Sequence, residues 1–423
     1  MKAILFILIS MCIAPSLFAQ RILGNWKGNI DINGAELPIV FHFTKDDSGN
    51  IAGKWDSPKQ NANGLPFSAI HVTGDSIDLE IKMIAGSYRG TFVNNDSISG
   101  IWNQNGHDMP LNFSRTTEND EPQGTVSVYP NEKEISITSA AGNKLYGTLL
   151  SKNKDQKIAI IVAGSGPTDR NGNSAISAPT NEYQLLAHSL DSQNIATFRY
   201  DKRGVAKSVV PNFKESDLVF DDYVKDAEDI FDYLHDTLGF KNIFFIGHSE
   251  GSLIALLASQ KKKVAGYISV AGAGRPIDVI LEEQLQKQPL TDSVKQQIPL
   301  IFNQLKEGKE VNDFPQILAQ LFRKSIQPYM ISWLKYSPEQ EIKKLECPIL
   351  ILQGGCDIQV KVTDANNLHN GNKKSQLDII PNMSHTLKNA GKDCVDENKT
   401  YTDGSMPIDP VLVSDIVKFI KKN

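Results

Sequence analysis

The chain has 423 residues, 40% hydrophobic and 22% charged, an ordinary globular balance that excludes wholesale disorder and a fibrous fold. Its 44 basic and 49 acidic side chains give a formal net charge of −5, so no basic excess points to nucleic acid as a partner. No internal apolar run approaches the roughly 20 residues that a membrane span needs.

Residues 1–19 read as a secretory signal peptide. Lys2 supplies a positive charge, Ala3 to Ile9 an apolar stretch, and Pro15 and then Ser16-Leu17-Phe18-Ala19 end it. Cleavage is expected after Ala19, although Leu17 is bulky for its place. The mature protein is then exported, to a periplasm or to the medium.

Residues 20–115 read as a small all-β domain. Alternating runs recur at Leu37 to Phe43, Phe67 to Val72, Ser76 to Met83, Ser87 to Phe92 and Met109 to Phe113. Turn residues separate them, including Asp46 to Asn50, Asn61 to Gly64 and Asn94 to Asp96. The pattern predicts a meandering sheet rolled into a barrel or sandwich. A Gly-x-Trp pattern occurs at Trp26, Trp55 and Trp102, and these aromatics are expected to fill the core. No titratable cluster with catalytic spacing occurs here.

Residues 116–124 are polar, carry Pro122 and read as a linker. From residue 125 to 423 the pattern changes. A hairpin is predicted over Ile135 to Ile137 and Leu145 to Leu149, followed by an apolar strand from Ile158 to Val162. Helices at Asn181 to Asp191 and Val219 to Leu238 alternate with strands at Ile195 to Tyr200 and Asn242 to Ile246. A helix from Leu253 and a strand from Val264 to Val270 come next. Strands at Pro348 to Gln353 and Ser375 to Ile380, then a helix from Val411 to Lys422, complete the series. Apolar strands alternating with helices predict an α/β fold, a parallel sheet covered on both faces. Residues 276–342 interrupt this rhythm with helical patterns alone and read as a helical cap inserted over the C-terminal edge of the sheet. Ile298, Leu300, Ile301, Leu305, Ile317, Leu318, Phe322, Met330, Trp333 and Leu334 are among the residues that supply its apolar faces.

Gly247-His248-Ser249-Glu250-Gly251 matches G-x-S-x-G between an apolar strand and a helix, the context a nucleophile elbow requires. Ser249 is the candidate nucleophile. A serine hydroxyl needs a base to take its proton. Asp357, just past the strand ending at Gln353, is the candidate acid, and His385, beyond the strand ending at Ile380, the candidate base. His369 falls in a helical stretch, and His248 is read as supporting rather than catalytic. The oxyanion needs two backbone donors. Glu250 N–H is one; Ser165 N–H, with Gly166 next, is the other, from the turn Ala163-Gly164-Ser165-Gly166-Pro167. That turn has neither phosphate-loop spacing. Arg170 and Arg203, in Asp169-Arg170-Asn171 and Asp201-Lys202-Arg203-Gly204, are expected to brace loops through ion pairs at strand ends.

On these motifs the last 300 or so residues resemble the α/β-hydrolase superfamily, and the Asp-Lys-Arg-Gly and Gly-Ser-Gly-Pro-Thr-Asp-Arg stretches are similar to those of serine-aminopeptidase-like esterases. The resemblance implies ester hydrolysis through an acyl-enzyme on Ser249, Asp357 and His385, with no metal or organic cofactor. An aminopeptidase on the same residues is the alternative, with Glu282, Glu283, Glu307 and Glu310 of the cap as amine ligands. A non-catalytic binding protein is the third reading. The β domain lies outside the resemblance, and polymer recruitment, pocket shaping and homodimerisation all remain open for it.

Export leaves Cys347, Cys356 and Cys394 in an oxidising compartment. Cys347 and Cys356 sit at opposite ends of one predicted strand, about 30 Å apart and beyond disulfide reach. Cys356 with Cys394 is the expected pair.

Overall fold

The computed structural model describes residues 21–32, 35–46, 49–58, 62–81, 86–104, 107–116, 129–174, 179–210 and 213–423. The expected signal peptide, and all of the expected linker but Thr116, lie outside the described residues. The chain divides into two compact units, Met1–Val126 and Ser127–Asn423.

The first unit is one antiparallel sheet of ten strands: β1 (Gly24–Ile32), β2 (Ala35–Lys45), β3 (Ile51–Ser57), β4 (Ala62–Pro66), β5 (Ala69–Thr73), β6 (Ser76–Ile81), β7 (Gly86–Asn94), β8 (Ser97–Gln104), β9 (His107–Pro110) and β10 (Phe113–Thr116). Its order is β4-β3-β2-β1-β10-β8-β7-β6-β5, with β9 paired to β8. Among the described residues the order is open, running from β4 at one edge to β5 at the other, and no second sheet forms a sandwich. Period-two patterning puts one face inside; β6 alternates exposed and buried along its whole length. Trp26, Trp55 and Trp102 are at most 2% exposed and share a core with Phe41, Tyr88 and Phe113.

Two local expectations fail here. Residues 62–64, expected as a turn, begin β4, because their backbone pairs with β3. Met109 to Phe113, expected as one strand, divides between β9 and β10. β9 pairs with β8 at Met109↔Trp102, whereas Phe113 pairs with β1 and with the start of β8. β1, β3 and β8, which carry the three tryptophans, went unassigned in sequence because glycines interrupt their alternation.

The second unit has an eight-stranded sheet: β11 (Glu132–Thr138), β12 (Lys144–Leu150), β13 (Ile158–Val162), β14 (Ala196–Tyr200), β15 (Ile243–His248), β16 (Gly266–Val270), β17 (Ile349–Gly354) and β18 (Gln376–Ile380). The order is β11-β12-β14-β13-β15-β16-β17-β18. β11 and β12 form an antiparallel hairpin on β14, and the rest run parallel. Every residue of β13, β14, β15, β16 and β17 is buried, as a sheet covered on both faces requires. With the elbow after β15, this is an α/β-hydrolase fold.

Between β16 and β17 lies the helical insertion. Its helices are Ile277–Gln286, Asp292–Lys306, Ala319–Phe322, Gln327–Trp333 and Pro338–Ile342. Ile298, Ile301, Leu305, Leu318, Phe322, Met330, Trp333 and Leu334 pack as expected, but Leu300 and Ile317 are 59% and 68% exposed and belong to no core. The insertion is anchored on helix Phe220–Asp232. Trp333 stacks on Phe220 at 5.4 Å, Tyr329 meets Tyr223 edge-on at 5.8 Å, and Ser332 Oγ accepts from Phe220 N–H at 2.7 Å.

Candidate active site

Ser249 stands between β15 and helix Glu250–Ser259 with φ 53° and ψ −120°. Few non-glycine residues adopt such a conformation, and it persists only where the surroundings enforce it. Here Ser249 N–H donates to Val270 O at 3.0 Å, and the neighbouring glycines let backbones nearly touch. A Cβ on Gly247 would strike the backbone of Gly251 and Ser252, and one on Gly251 would strike the Val162 and Ala163 carbonyls. The elbow is therefore pressed against the end of β13, where the loop carrying Gly164, Ser165 and Gly166 begins. An added Cβ on Gly164 would lie 3.2 Å from that of Ser249.

Asp357 follows β17, and its side chain is buried. Its Oδ2 accepts from His385 Nδ1 at 2.8 Å and from Gln353 Nε2 at 3.0 Å. Its Oδ1 accepts from the Gln359 and Val360 N–H groups at 2.8 and 2.9 Å. Burial pushes this carboxyl up, but the His385 imidazole and those N–H donors outweigh it and hold it below the ordinary value. For His385 the balance is reversed in sign. Burial lowers the imidazole, while the Asp357 carboxylate, with Glu182 and Glu397 further off, raises it above the ordinary value. Among the described residues no hydrogen bond joins Ser249 Oγ to His385. The structure pairs His385 with Asp357 and places Ser249 beside Gly164. A nucleophile–base hydrogen bond of this kind often forms only once substrate binds.

His248 points away from the elbow into a buried chain. Gly164 N–H donates to Tyr183 Oη at 2.9 Å, Tyr183 Oη meets His248 Nδ1 at 2.8 Å, and His248 Nε2 meets His385 O at 2.9 Å. One donor direction satisfies all three contacts: the tyrosine donates to Nδ1, and Nε2–H donates to the carbonyl. Burial, then the nearby His385, pushes His248 down to about 3, so it stays neutral as this requires.

Ser165 and Gly166 are exposed at the end of β13, and no acceptor engages Ser165 N–H among the described residues. Glu250 opens its helix, so its N–H has no intrahelical acceptor. The charged motifs brace. Arg170 forms a buried two-pronged pair with Asp201 at 2.6 and 3.1 Å and also reaches Glu134. Arg203 pairs likewise with Asp226, at 2.6 and 2.8 Å. Cys356 and Cys394 are joined, tying the residue before Asp357 to the segment that enters helix Glu397–Thr400. Cys347 is a half-buried free thiol, which burial pushes up to about 11.

Tyr183, Gln353 and Lys202 were not singled out in sequence. Tyr183 and Gln353 read as an ordinary helix residue and an ordinary strand end. Lys202 was visible only as part of Asp-Lys-Arg-Gly.

A family model described as serine aminopeptidase, S33, matches residues 178–390. The chain belongs to this family. It is a hydrolase, and Ser249, Asp357 and His385 all lie inside the matched span. Esterase EstD of Thermotoga maritima is 25% identical over 243 residues, which are 55% of this chain and 53% of the relative. The chain thus spans about half the length of that curated relative. Among solved structures, an esterase of Pyrococcus furiosus has a TM-score of 0.47 and 16% identity, covering 69% of this chain and 90% of its own. Est1E from Butyrivibrio proteoclasticus, solved with ferulic acid bound, has a TM-score of 0.46 and 18% identity, covering 68% and 99%.

Proposed function

We propose that the protein is an exported carboxylesterase in which Ser249, His385 and Asp357 form the catalytic triad. Ser249 Oγ attacks the ester carbonyl as His385 Nε2 takes its proton. The tetrahedral oxyanion is received by the N–H groups of Glu250 and of Ser165, with Gly166 adjacent. Collapse breaks the bond to the alcohol, which leaves with the proton from His385, and acyl-Ser249 remains. Water then attacks the acyl carbon with His385 again as base, releasing the carboxylic acid. The observation that carries this reading is the His385–Asp357 contact at 2.8 Å, together with a strained serine at the end of β15 whose adjacent backbone donors are free. The Cys356–Cys394 bond supports export, because such bonds persist in oxidising compartments.

The aminopeptidase reading needs free acidic groups to hold an α-amine. Glu283 is already engaged by Arg275 and Lys361, whose hydrogen bonds pull it down to about 2, and Glu307 pairs with Lys309 at the exposed surface. Initial rates on p-nitrophenyl acetate, butyrate and octanoate beside aminoacyl p-nitroanilides, with Ser249→Ala as the blank, separate the two. Ester turnover falling by about 10,000-fold or more in the variant, with silent anilides, is expected. Anilide turnover exceeding ester turnover would overturn the esterase reading.

A further inference from the structure

Lys202 is a buried cation that the mechanism above does not use. It follows β14 and is 1% exposed. Its Nζ donates to Gly164 O at 2.6 Å, lies 3.4 Å from Glu250 Oε1, and sits 4.9 Å over the Tyr223 ring. Full burial of an ammonium is costly unless its partners are well placed. These partners are the two segments proposed to hold the oxyanion: Gly164 precedes Ser165, and Glu250 carries the other donor N–H itself.

The geometry gives the lysine a task. The carbonyl of Gly164 and the N–H of Ser165 belong to one trans peptide and point in opposite directions across its plane. Holding the carbonyl on the buried side turns the N–H to the other side. Gly164 N–H is held by Tyr183 Oη, so the peptides on both sides of Gly164 are fixed. The ion pair with Glu250 sets this loop against the start of the elbow helix. A cation behind the loop also favours negative charge in front of it. We propose that Lys202 is a positioning residue for the oxyanion hole: it orients the Ser165 N–H through the Gly164 carbonyl and couples it to the Glu250 donor. This rests on the esterase reading above.

The role predicts a loss in the transition state alone. Lys202→Met combined with Glu250→Gln removes the buried charges as a pair and keeps the Glu250 backbone donor. Rates are taken per active site, by end-point titration of Ser249 with a fluorophosphonate, so that unfolded protein does not count. One oxyanion donor is worth about 100–1,000-fold in kcat. A misaligned one is therefore expected to cost about 10–100-fold in kcat on p-nitrophenyl butyrate, with KM within about twofold. Affinity for a trifluoromethyl ketone of the same acyl chain, which forms the oxyanion on Ser249, should fall in parallel. Lys202→Arg keeps a donor but displaces it, so it should lose less kcat at unchanged KM, and it carries the test if the double variant fails to fold. Unchanged kcat per site, or a loss confined to KM, would overturn the inference and leave the esterase reading intact. Wild-type turnover that survives Ser249→Ala would overturn that reading and the inference with it.

Discussion

Along β6 of the first unit, buried and exposed residues alternate, whereas every residue of β13 and β15 in the second is buried. The contrast extends to polar groups. Among the described residues Ser57 is the one buried polar side chain of the β unit; its core is tryptophan, tyrosine, phenylalanine and aliphatic side chains. The hydrolase unit buries Arg170, Asp201, Lys202, Arg203, Asp226, Glu250, Asp357 and His385, most of them in pairs around the ends of its strands. Burying a charge costs free energy unless a partner offsets it, so a fold keeps such groups where position matters. One unit spends its interior on packing, and the other on holding charged groups in place.

If that contrast is right, substitutions in the two interiors fail differently. The largest effect is expected for Asp357→Asn, a drop of about 1,000–10,000-fold in kcat with thermal stability nearly kept. The same pair sets the pH dependence. In the proposed triad His385 must be neutral to accept the serine proton, and Asp357 raises it against the opposing pull of burial. The acid limb of kcat/KM in the wild type should therefore lie above the ordinary histidine value of 6.5. Removing the carboxylate leaves burial dominant, so in Asp357→Asn the limb should move to lower pH. A limb that stays in place would break the assignment of the pair.

In the β unit, Trp26→Ala should cost about 3–5 kcal/mol of that unit's stability. Ester turnover per titrated site should stay within about twofold of wild type. Loss of turnover on unfolding of this unit, followed by far-UV circular dichroism, would break the comparison.

Tyr183→Phe leaves Gly164 N–H and His248 Nδ1 without their partner. A fall of about tenfold in kcat, equal to about 1.4 kcal/mol, is expected in steady-state assays. The smallest effect concerns Glu182. Burial pushes its carboxyl from 4.5 up to about 7, despite the Thr180 hydroxyl and the Lys388 charge. The unfolded chain therefore ionises first, and stability is lost as pH rises through that window. Glu182→Gln should gain about 2–4 °C in Tm relative to wild type between pH 5 and pH 8. Calorimetry at the two pH values checks the sign.

Periodicity carried most of the fold. The βα rhythm from Ile158 onward placed each parallel strand within about two residues, because buried strands are continuous apolar runs bounded by turns. Glycines at 28, 53 and 100 blurred the alternation in the β unit, so β1, β3 and β8 were invisible although their tryptophans were not. Around the candidate site, the places of Ser249, Asp357 and His385 just past β15, β17 and β18 were legible, because a strand end is a position that sequence reveals. The supporting contacts were not. Tyr183 meets His248 across 65 residues of chain, and Lys202 meets Gly164 across 38, and no spacing rule encodes contacts at such separations. Leu300 and Ile317 show the converse: apolar type in a helical stretch did not mean burial.

The central claim, that Ser249 is an activated nucleophile served by His385, is tested most directly by mass spectrometry of the protein after a fluorophosphonate probe. One adduct per chain is expected, mapped to the peptide carrying Ser249, formed fast in the wild type and slowly in His385→Ala. An adduct on another residue, or labelling equally fast without His385, would contradict it.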